Sequence, residues 1–421
     1  SIRSILLASQ AVGVSKITNL LESEDVLNTL KAIKKLGINY KKKNNVYSIY
    51  GFGLNGFNLK KNTTINAGNS GTLARLILGL LVKSKYKIKL IGDKSLSKRD
   101  FSRVIKPLRY FGVNIKSKRN LLPLQIIGTN FLRPIIYNEN IGSAQVKSCI
   151  ILSALNTAGT TIINSKNSRN HTELMLKFLK YPIKVQKNKD FDKISIQGLS
   201  QFKSFSYIVP GDISSASFFI VLTILAQKSN MIIENVNVNK TRIGVISILN
   251  KMGANIKLKN KKIYNGEKIA DIHVKSQKNI FSINCSSKLN SSAIDEFLII
   301  FLVAAKAKGI SRFKDLGEMN KKESKRLDLG IAFLRLIGIK VERYKNDINI
   351  HGNPNLELKN KFEIKNFFKD HRIFFLSCIA ALTLGGEWKI NDKDSINTSF
   401  PNFLKILKQI GARVNWKKEK I

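Results

Sequence analysis

Apolar and polar positions along the 421-residue chain follow one pattern that recurs six times. Each copy is an amphipathic helix that closes and runs into a strand: LKAIKKLGINY, VIKPLRYFGVNI, LKFLKYPIKV, ISILNKMGANI, IAFLRLIGIKV and FLKILKQIGARV. In five copies Gly37, Gly112, Gly253, Gly338 and Gly411 supply the helix C-cap. In the third, Tyr181-Pro182 takes that place. Copies lie about 70 to 85 residues apart, so the chain reads as six units of one α/β design.

Every unit also opens with a second, more apolar helix whose first turn is polar. These are SIRSILLASQA, GNSGTLARLILGLL, GSAQVKSCIILSAL, GDISSASFFIVLTIL, SAIDEFLIIFLVAA and DHRIFFLSCIAAL. Helices apolar almost all round belong inside a domain, with their polar heads emerging at a surface or cleft. Three units per half predict two similar domains, 1–209 and 210–421, with Pro210-Gly211 as the hinge. The fold class is α/β (α+β).

Composition adds limits. With 43% apolar residues the chain can bury a large core. The longest apolar segment, FLIIFLVAA (297–305), falls short of the roughly 18 residues that a membrane span requires. Cys149, Cys285 and Cys378 lie in apolar or strand-like segments without CxxC spacing, which points to the reducing cytoplasm. His171, His273, His351 and His371 are too scattered for a metal motif, so neither metal nor cofactor is expected. The net charge of +44 raises the possibility of a basic nucleic-acid-binding protein. Its lysines are dispersed, however, and no finger, RNP-like or basic-zipper pattern accompanies them. Most of the charge reads as solvated surface that also favours anionic ligands.

Three segments concentrate ionic residues beside apolar helices. GDKSLSKRDFSRVIKPL (92–108) places Arg99 and Arg103 just ahead of a helix. NKKESKRL (320–327) sets Lys322, Glu323 and Arg326 within a turn and a half. DHRIFF (370–375) puts Asp370, His371 and Arg372 at a helix head. Each is equally a solvated charge cluster when taken alone. Arg372 and Arg3, at helix N-termini, oppose the macrodipole unless an anion sits between the guanidinium and the helix end. The turn at Asn69-Ser70-Gly71 reads as a helix cap, and a helix head of this kind also suits an anion.

Nine motifs then appear in one order: GNSGT, GDKSLSKR, GSAQVKS, SRNHTELML, VPGDISSASFF, IDE, KKESKR, DHR and TSFPNF. Together they resemble the 5-enolpyruvylshikimate-3-phosphate synthases, and among these the class II form. The resemblance implies two domains, each of three βαβαββ units, with the active site in the cleft between them. It implies transfer of the enolpyruvyl group of phosphoenolpyruvate to the 5-hydroxyl of shikimate 3-phosphate, with release of phosphate, on the route to chorismate. Shikimate 3-phosphate would be held by Arg3, Ser143, Ala144, Gln145, Arg169, Asp295 and Lys322. Phosphoenolpyruvate would meet Gly71, Arg99, Gln145, Arg326 and Arg372. Asp295 would be the base at the hydroxyl and Glu323 the proton carrier at the methylene carbon. A monomer without a dedicated nucleic-acid or membrane partner is expected.

The chain departs from the family pattern at several positions. It starts within a Gly-Asp-Lys-Ser-type motif, so an N-terminal truncation is expected, with an in-frame Met and that segment encoded upstream of Ser1. Ile2 stands where the family tends to have His or Asn, and Asp100-Phe101 replaces Pro-Met, which places a carboxylate beside Arg99, an arginine meant for an anion. Asn170 and Lys325 each occupy an Asp position. The nearest rival is UDP-N-acetylglucosamine enolpyruvyl transferase, which would call for a reactive cysteine on a loop. Gly71 further implies sensitivity to glyphosate, because tolerant class II relatives tend to carry Ala there.

Overall fold

The computed structural model describes residues 1–367 and 369–415, which leaves 416–421 of the expected second domain outside the described residues. The chain divides into two compact units, Ser1–Pro210 with Lys262–Ile269, and Gly211–Lys261 with Ala270–Ile421. Each has its own apolar core. No helix among the described residues is long and apolar enough to cross a membrane.

In the first unit the helices are α1 (Ile2–Ala8), α2 (Glu24–Lys35), α3 (Gly71–Leu80), α4 (Ser102–Tyr110), α5 (Ala144–Leu155) and α6 (His171–Phe178). In the second they are α7 (Ile213–Leu225), α8 (Gly244–Lys251), α9 (Asn290–Ala293), α10 (Phe297–Ala305), α11 (Arg326–Leu336), α12 (His371–Leu384) and α13 (Phe403–Gln409).

Four of the six sheets among the described residues share one strand order. Strand Thr64–Asn66 runs parallel to Ile88–Ile91, with α3 as the crossover. Ile88–Ile91 then pairs antiparallel with Leu124–Ile127, which also pairs with Asn114–Ser117 after α4. That order is βαβαββ. The strands Ile136–Glu139, Thr160–Lys166, Phe191–Gln197 and Ile183–Lys187 repeat it around α5 and α6. The first sheet differs in one respect: its parallel edge strand, Ser206–Ile208, comes from the far end of the unit. In the second unit Asn284–Cys285, Gly309–Phe313, Asp347–Gly352 and Val341–Tyr344 form the same four-stranded order. Leu358–Ile364 and Gly385–Ile390 form a parallel pair joined by α12.

Crossover helices buried on all sides pack closely where small residues allow it. A Cβ at Gly79 of α3 would overlap the Cys149 carbonyl of α5, so the two backbones meet there without a side chain between them.

The five expected closing glycines all have positive φ, from +80° at Gly338 to +98° at Gly112. The third copy differs from expectation. Lys180, at φ +54°, takes the left-handed position, and Tyr181 N–H closes onto the Leu176 carbonyl at 2.9 Å. Proline cannot adopt positive φ, so the helix must end before Pro182. In the sixth copy Gly411 ends α13, but no strand follows within the residues described to 415. Arg103 lies inside α4 rather than ahead of it.

The segment SAIDEFLIIFLVAA is also not one helix. It breaks at 294–296 between α9 and α10, and Asp295 sits in the break. The Asp295 carbonyl accepts from Arg372 Nη1 at 2.6 Å. That side-chain bond takes up a backbone acceptor that a continuous helix would use. Lys322 and Glu323 likewise precede α11, in a loop with Lys322 extended.

Candidate active site

In the first unit the candidate residues gather at the heads of α3 and α5. Ser70 Oγ accepts from Leu73 N–H at 3.2 Å, so the polar turn is a helix cap. Gly71 opens α3 and is buried. One turn later Arg75 folds back over it, donating through Nη1 to the Gly71 carbonyl at 3.3 Å and to Gln145 Oε1 at 3.1 Å. Gln145 Nε2 donates to Thr72 Oγ1 at 3.0 Å, and the Arg75 guanidinium stacks 4.9 Å from the centre of the Phe101 ring. Arg99 donates to Asn69 Oδ1 at 3.2 Å. A Cβ at Gly71 would lie 2.8 Å from Arg75 Nη1 and 3.0 Å from Arg99 Nη1. Gly71, Arg99 and Gln145 are therefore brought together, with Arg75 as an unforeseen fourth member. Its signal was a lone cation four residues after Gly71 in an otherwise apolar helix.

Asp100 does not neutralise Arg99 as its position in the sequence suggests. Its carboxylate accepts from Ser102 N–H at 2.9 Å and from the Ser102 hydroxyl, at the head of α4. A carboxylate is favourable at that end of a helix.

Ser143 caps α5, accepting from Val146 N–H at 3.4 Å, and Ala144 and Gln145 follow in its first turn. Buried Glu139 holds the loop ahead of this cap by accepting from Ile141 N–H at 3.2 Å and Gly142 N–H at 2.9 Å. Arg3 donates through Nε to Thr172 Oγ1 at 2.8 Å and through Nη2 to Ser148 Oγ at 3.3 Å. Arg169 is half-buried, two residues ahead of α6.

In the second unit the candidate residues form an ionic network centred on Arg326, which is only 2% exposed. Its Nη2 lies 2.5 Å from Glu323 Oε2, its Nη1 3.4 Å from Asp295 Oδ1, and its Nε 2.9 Å from Asp370 Oδ2. Lys322 Nζ is 3.2 Å from the same Asp295 oxygen. Burial works against the Arg326 charge, but Asp370, Glu323 and Asp295 outweigh it and raise its pKa. Burial likewise pushes the Asp370 carboxyl up, and Arg326, His371 and the Ser324 hydroxyl together outweigh it and hold the group below the usual range. Asp370 Oδ2 also accepts from Ser324 Oγ at 2.6 Å, while its Oδ1 caps α12 through Arg372 N–H at 2.9 Å. One buried carboxylate thus orients Arg326 and fixes the helix head that carries Arg372. Buried Glu296 lies 3.9 Å from Arg372 Nη1 and accepts from the Ser214 hydroxyl. His371 is driven down to about 4, chiefly by burial, so it is neutral at physiological pH.

All three cysteines are buried, and burial pushes Cys149 to about 12 and Cys285 to about 11, with Cys378 also raised. The thiolate is the reactive form, so native protein at pH 8 should resist iodoacetamide until unfolded. Rapid labelling that abolishes activity would restore the reactive-cysteine rival.

Paired α/β units of repeated sheets, with arginines gathered at helix heads beside ionised carboxylates, define a protein built to handle small polyanions. A family model described as EPSP synthase (3-phosphoshikimate 1-carboxyvinyltransferase) matches residues 1–417. The chain is 42% identical over 418 residues to the 3-phosphoshikimate 1-carboxyvinyltransferase of Ruthia magnifica, covering 98% of this chain and 93% of that protein. It is 38% identical over 411 residues to the Oceanobacillus iheyensis enzyme of the same name, covering 97% and 93%. The solved EPSP synthase of Acinetobacter baumannii superposes with a TM-score of 0.84 at 34% identity, over 97% of this chain and 92% of that one. The enolpyruvyl transferase NikO of Streptomyces tendae shares the fold alone, with a TM-score of 0.74 at 12% identity over 98% and 92%. The chain belongs to the EPSP synthase family. It is a transferase of aromatic amino-acid biosynthesis, with 3-phosphoshikimate 1-carboxyvinyltransferase activity, and its family uses shikimate 3-phosphate and phosphoenolpyruvate.

Proposed function

We propose that the residue clusters of the two units serve one addition–elimination reaction. In this reading Arg3, Ser143, Ala144, Gln145, Arg169, Asp295 and Lys322 hold shikimate 3-phosphate. Gly71, Arg99, Gln145, Arg326 and Arg372 hold phosphoenolpyruvate. Asp295 takes the proton of the 5-hydroxyl as its oxygen bonds to the central carbon of phosphoenolpyruvate. Glu323 delivers a proton to the methylene carbon, completing a tetrahedral adduct. Glu323, left as a carboxylate, takes a proton back from that methyl group as the C–O bond to phosphate breaks, which regenerates the double bond in the product. The cations stabilise charge as it moves onto the leaving phosphate.

The observation that supports this reading is that Asp295 and Glu323 both contact the guanidinium of Arg326. Proton acceptor and proton carrier therefore flank one anion-binding group. We take residues 1–209 and 210–421 as the two domains, which the division of the chain at Pro210/Gly211 supports. The enzyme is proposed to act as a cytoplasmic monomer.

The test is phosphate release by protein expressed from its full coding sequence. Release should require phosphoenolpyruvate and shikimate 3-phosphate together, with no release when UDP-N-acetylglucosamine is the acceptor. The opposite preference would overturn the assignment.

A further inference from the structure

Helix α5 contains a single charged residue, Lys147, and its side chain is fully buried. Its Nζ lies 2.8 Å from Glu173 Oε1 of α6, whose side chain is only 3% exposed. Asp192, itself buried, also feels the Lys147 charge, which partly offsets the upward push of burial on its carboxyl. The adjacent residues make a second link: Ser148 Oγ and Thr172 Oγ1 are 2.7 Å apart, and both accept from Arg3. Successive residues of α5, 147 and 148, are thus tied to successive residues of α6, 173 and 172. Both links fall close to the helix heads, near Ser143–Gln145 on one side and Arg169 on the other.

We infer that Lys147 and Glu173 are positioning residues, forming the lower rung of a two-rung clamp that sets the register of α5 against α6. The inference rests on the proposed assignment of Arg3, Ser143–Gln145 and Arg169 to shikimate 3-phosphate. A buried ion pair is a poor source of net stability, because desolvation consumes most of the attraction. Apolar residues of similar size would hold two apolar helices together equally well. What an ion pair adds is a preferred separation, since the two buried charges lose each other's compensation if α5 slides along α6, whereas an apolar contact tolerates sliding. The upper rung converts that register into a seat for Arg3, whose Nε and Nη2 each need one of the two hydroxyls in place. A displacement of about 1 Å at a substrate-positioning group is enough to lose much of its effect.

The clamp can be separated from simple packing by kinetics. In protein from the full coding sequence, Glu173→Gln should raise KM for shikimate 3-phosphate about tenfold, with kcat and KM for phosphoenolpyruvate changed less than about threefold. The double variant Lys147→Met/Glu173→Met should show the same KM defect with a melting temperature at or above that of the wild type. It carries the test alone if Glu173→Gln does not fold. A wild-type KM in the double variant would overturn the inference, since packing would then suffice. So would a fall in melting temperature with no selective change in KM. Arg3→Ala distinguishes failure of the site assignment: an unchanged KM there removes Arg3 from the site, and the clamp then stands or falls on the rung variants acting through α5.

Discussion

Replacing Asp295 with Ala should lower kcat by about 10²- to 10⁴-fold while leaving KM for shikimate 3-phosphate within about tenfold of its starting value. The asymmetry follows from what surrounds the carboxylate. Lys322 and Arg326 lie 3.2 Å and 3.4 Å from Asp295 Oδ1, so both cations lose a competitor for the substrate anions when it is removed. Arg326 keeps Glu323 and Asp370, and its orientation should survive. The bond from Arg372 to residue 295 runs to the main-chain carbonyl, which Ala retains. Binding charge is therefore preserved while the proton acceptor is lost. Steady-state kinetics with each substrate varied in turn measure both quantities. Equal losses in kcat and in affinity would show that Asp295 mainly binds, and the base would have to be sought elsewhere.

Much of this arrangement was legible in the sequence because it is written in residue types with few physical alternatives. Glycine at a helix end nearly always marks a left-handed closure, so Gly37, Gly112, Gly253, Gly338 and Gly411 revealed the repeat. All-round apolar helices with polar heads announced the helices buried inside each unit, but not which strands they join. The misses share a different cause: each depends on a partner distant in sequence. Lys180 closes α6 because Pro182 forbids the alternative, and nothing in lysine itself signals that conformation. The break at Asp295 reflects a bond to Arg372, 77 residues away. Asp100 looked like a rival for Arg99 by adjacency, yet its carboxylate serves the neighbouring helix head. Arg75, Glu139 and the Lys147–Glu173 pair were passed over because a charge in an apolar segment does not name its partner. Buried ionic contacts are set by tertiary geometry, which periodicity does not encode.

Changing Gly71 to Ala should raise KM for phosphoenolpyruvate and, by more, the inhibition constant of glyphosate, which is expected to compete for the same position. The new Cβ would stand 2.8 Å from Arg75 Nη1 and 3.0 Å from Arg99 Nη1. Both atoms are the far ends of flexible side chains, so the fold can absorb the methyl by moving them. Helix propensity also favours Ala over Gly, by up to about 1 kcal/mol in a helix interior, and the variant should not be destabilised. The damage falls on function, because the guanidinia that must shift are those gathered at the head of α3. Overpacking of this kind costs about 1–3 kcal/mol, equivalent to roughly 5- to 150-fold in affinity. The inhibitor is expected at the upper end of that range and phosphoenolpyruvate at the lower. Asp100 does not change this expectation, since its carboxylate is engaged by Ser102. Inhibition constants for the full-length enzyme and its Gly71→Ala variant, measured at several phosphoenolpyruvate concentrations, decide the matter. Equal constants would mean that Gly71 does not line the inhibitor position, and that the head of α3 serves only to cap a helix.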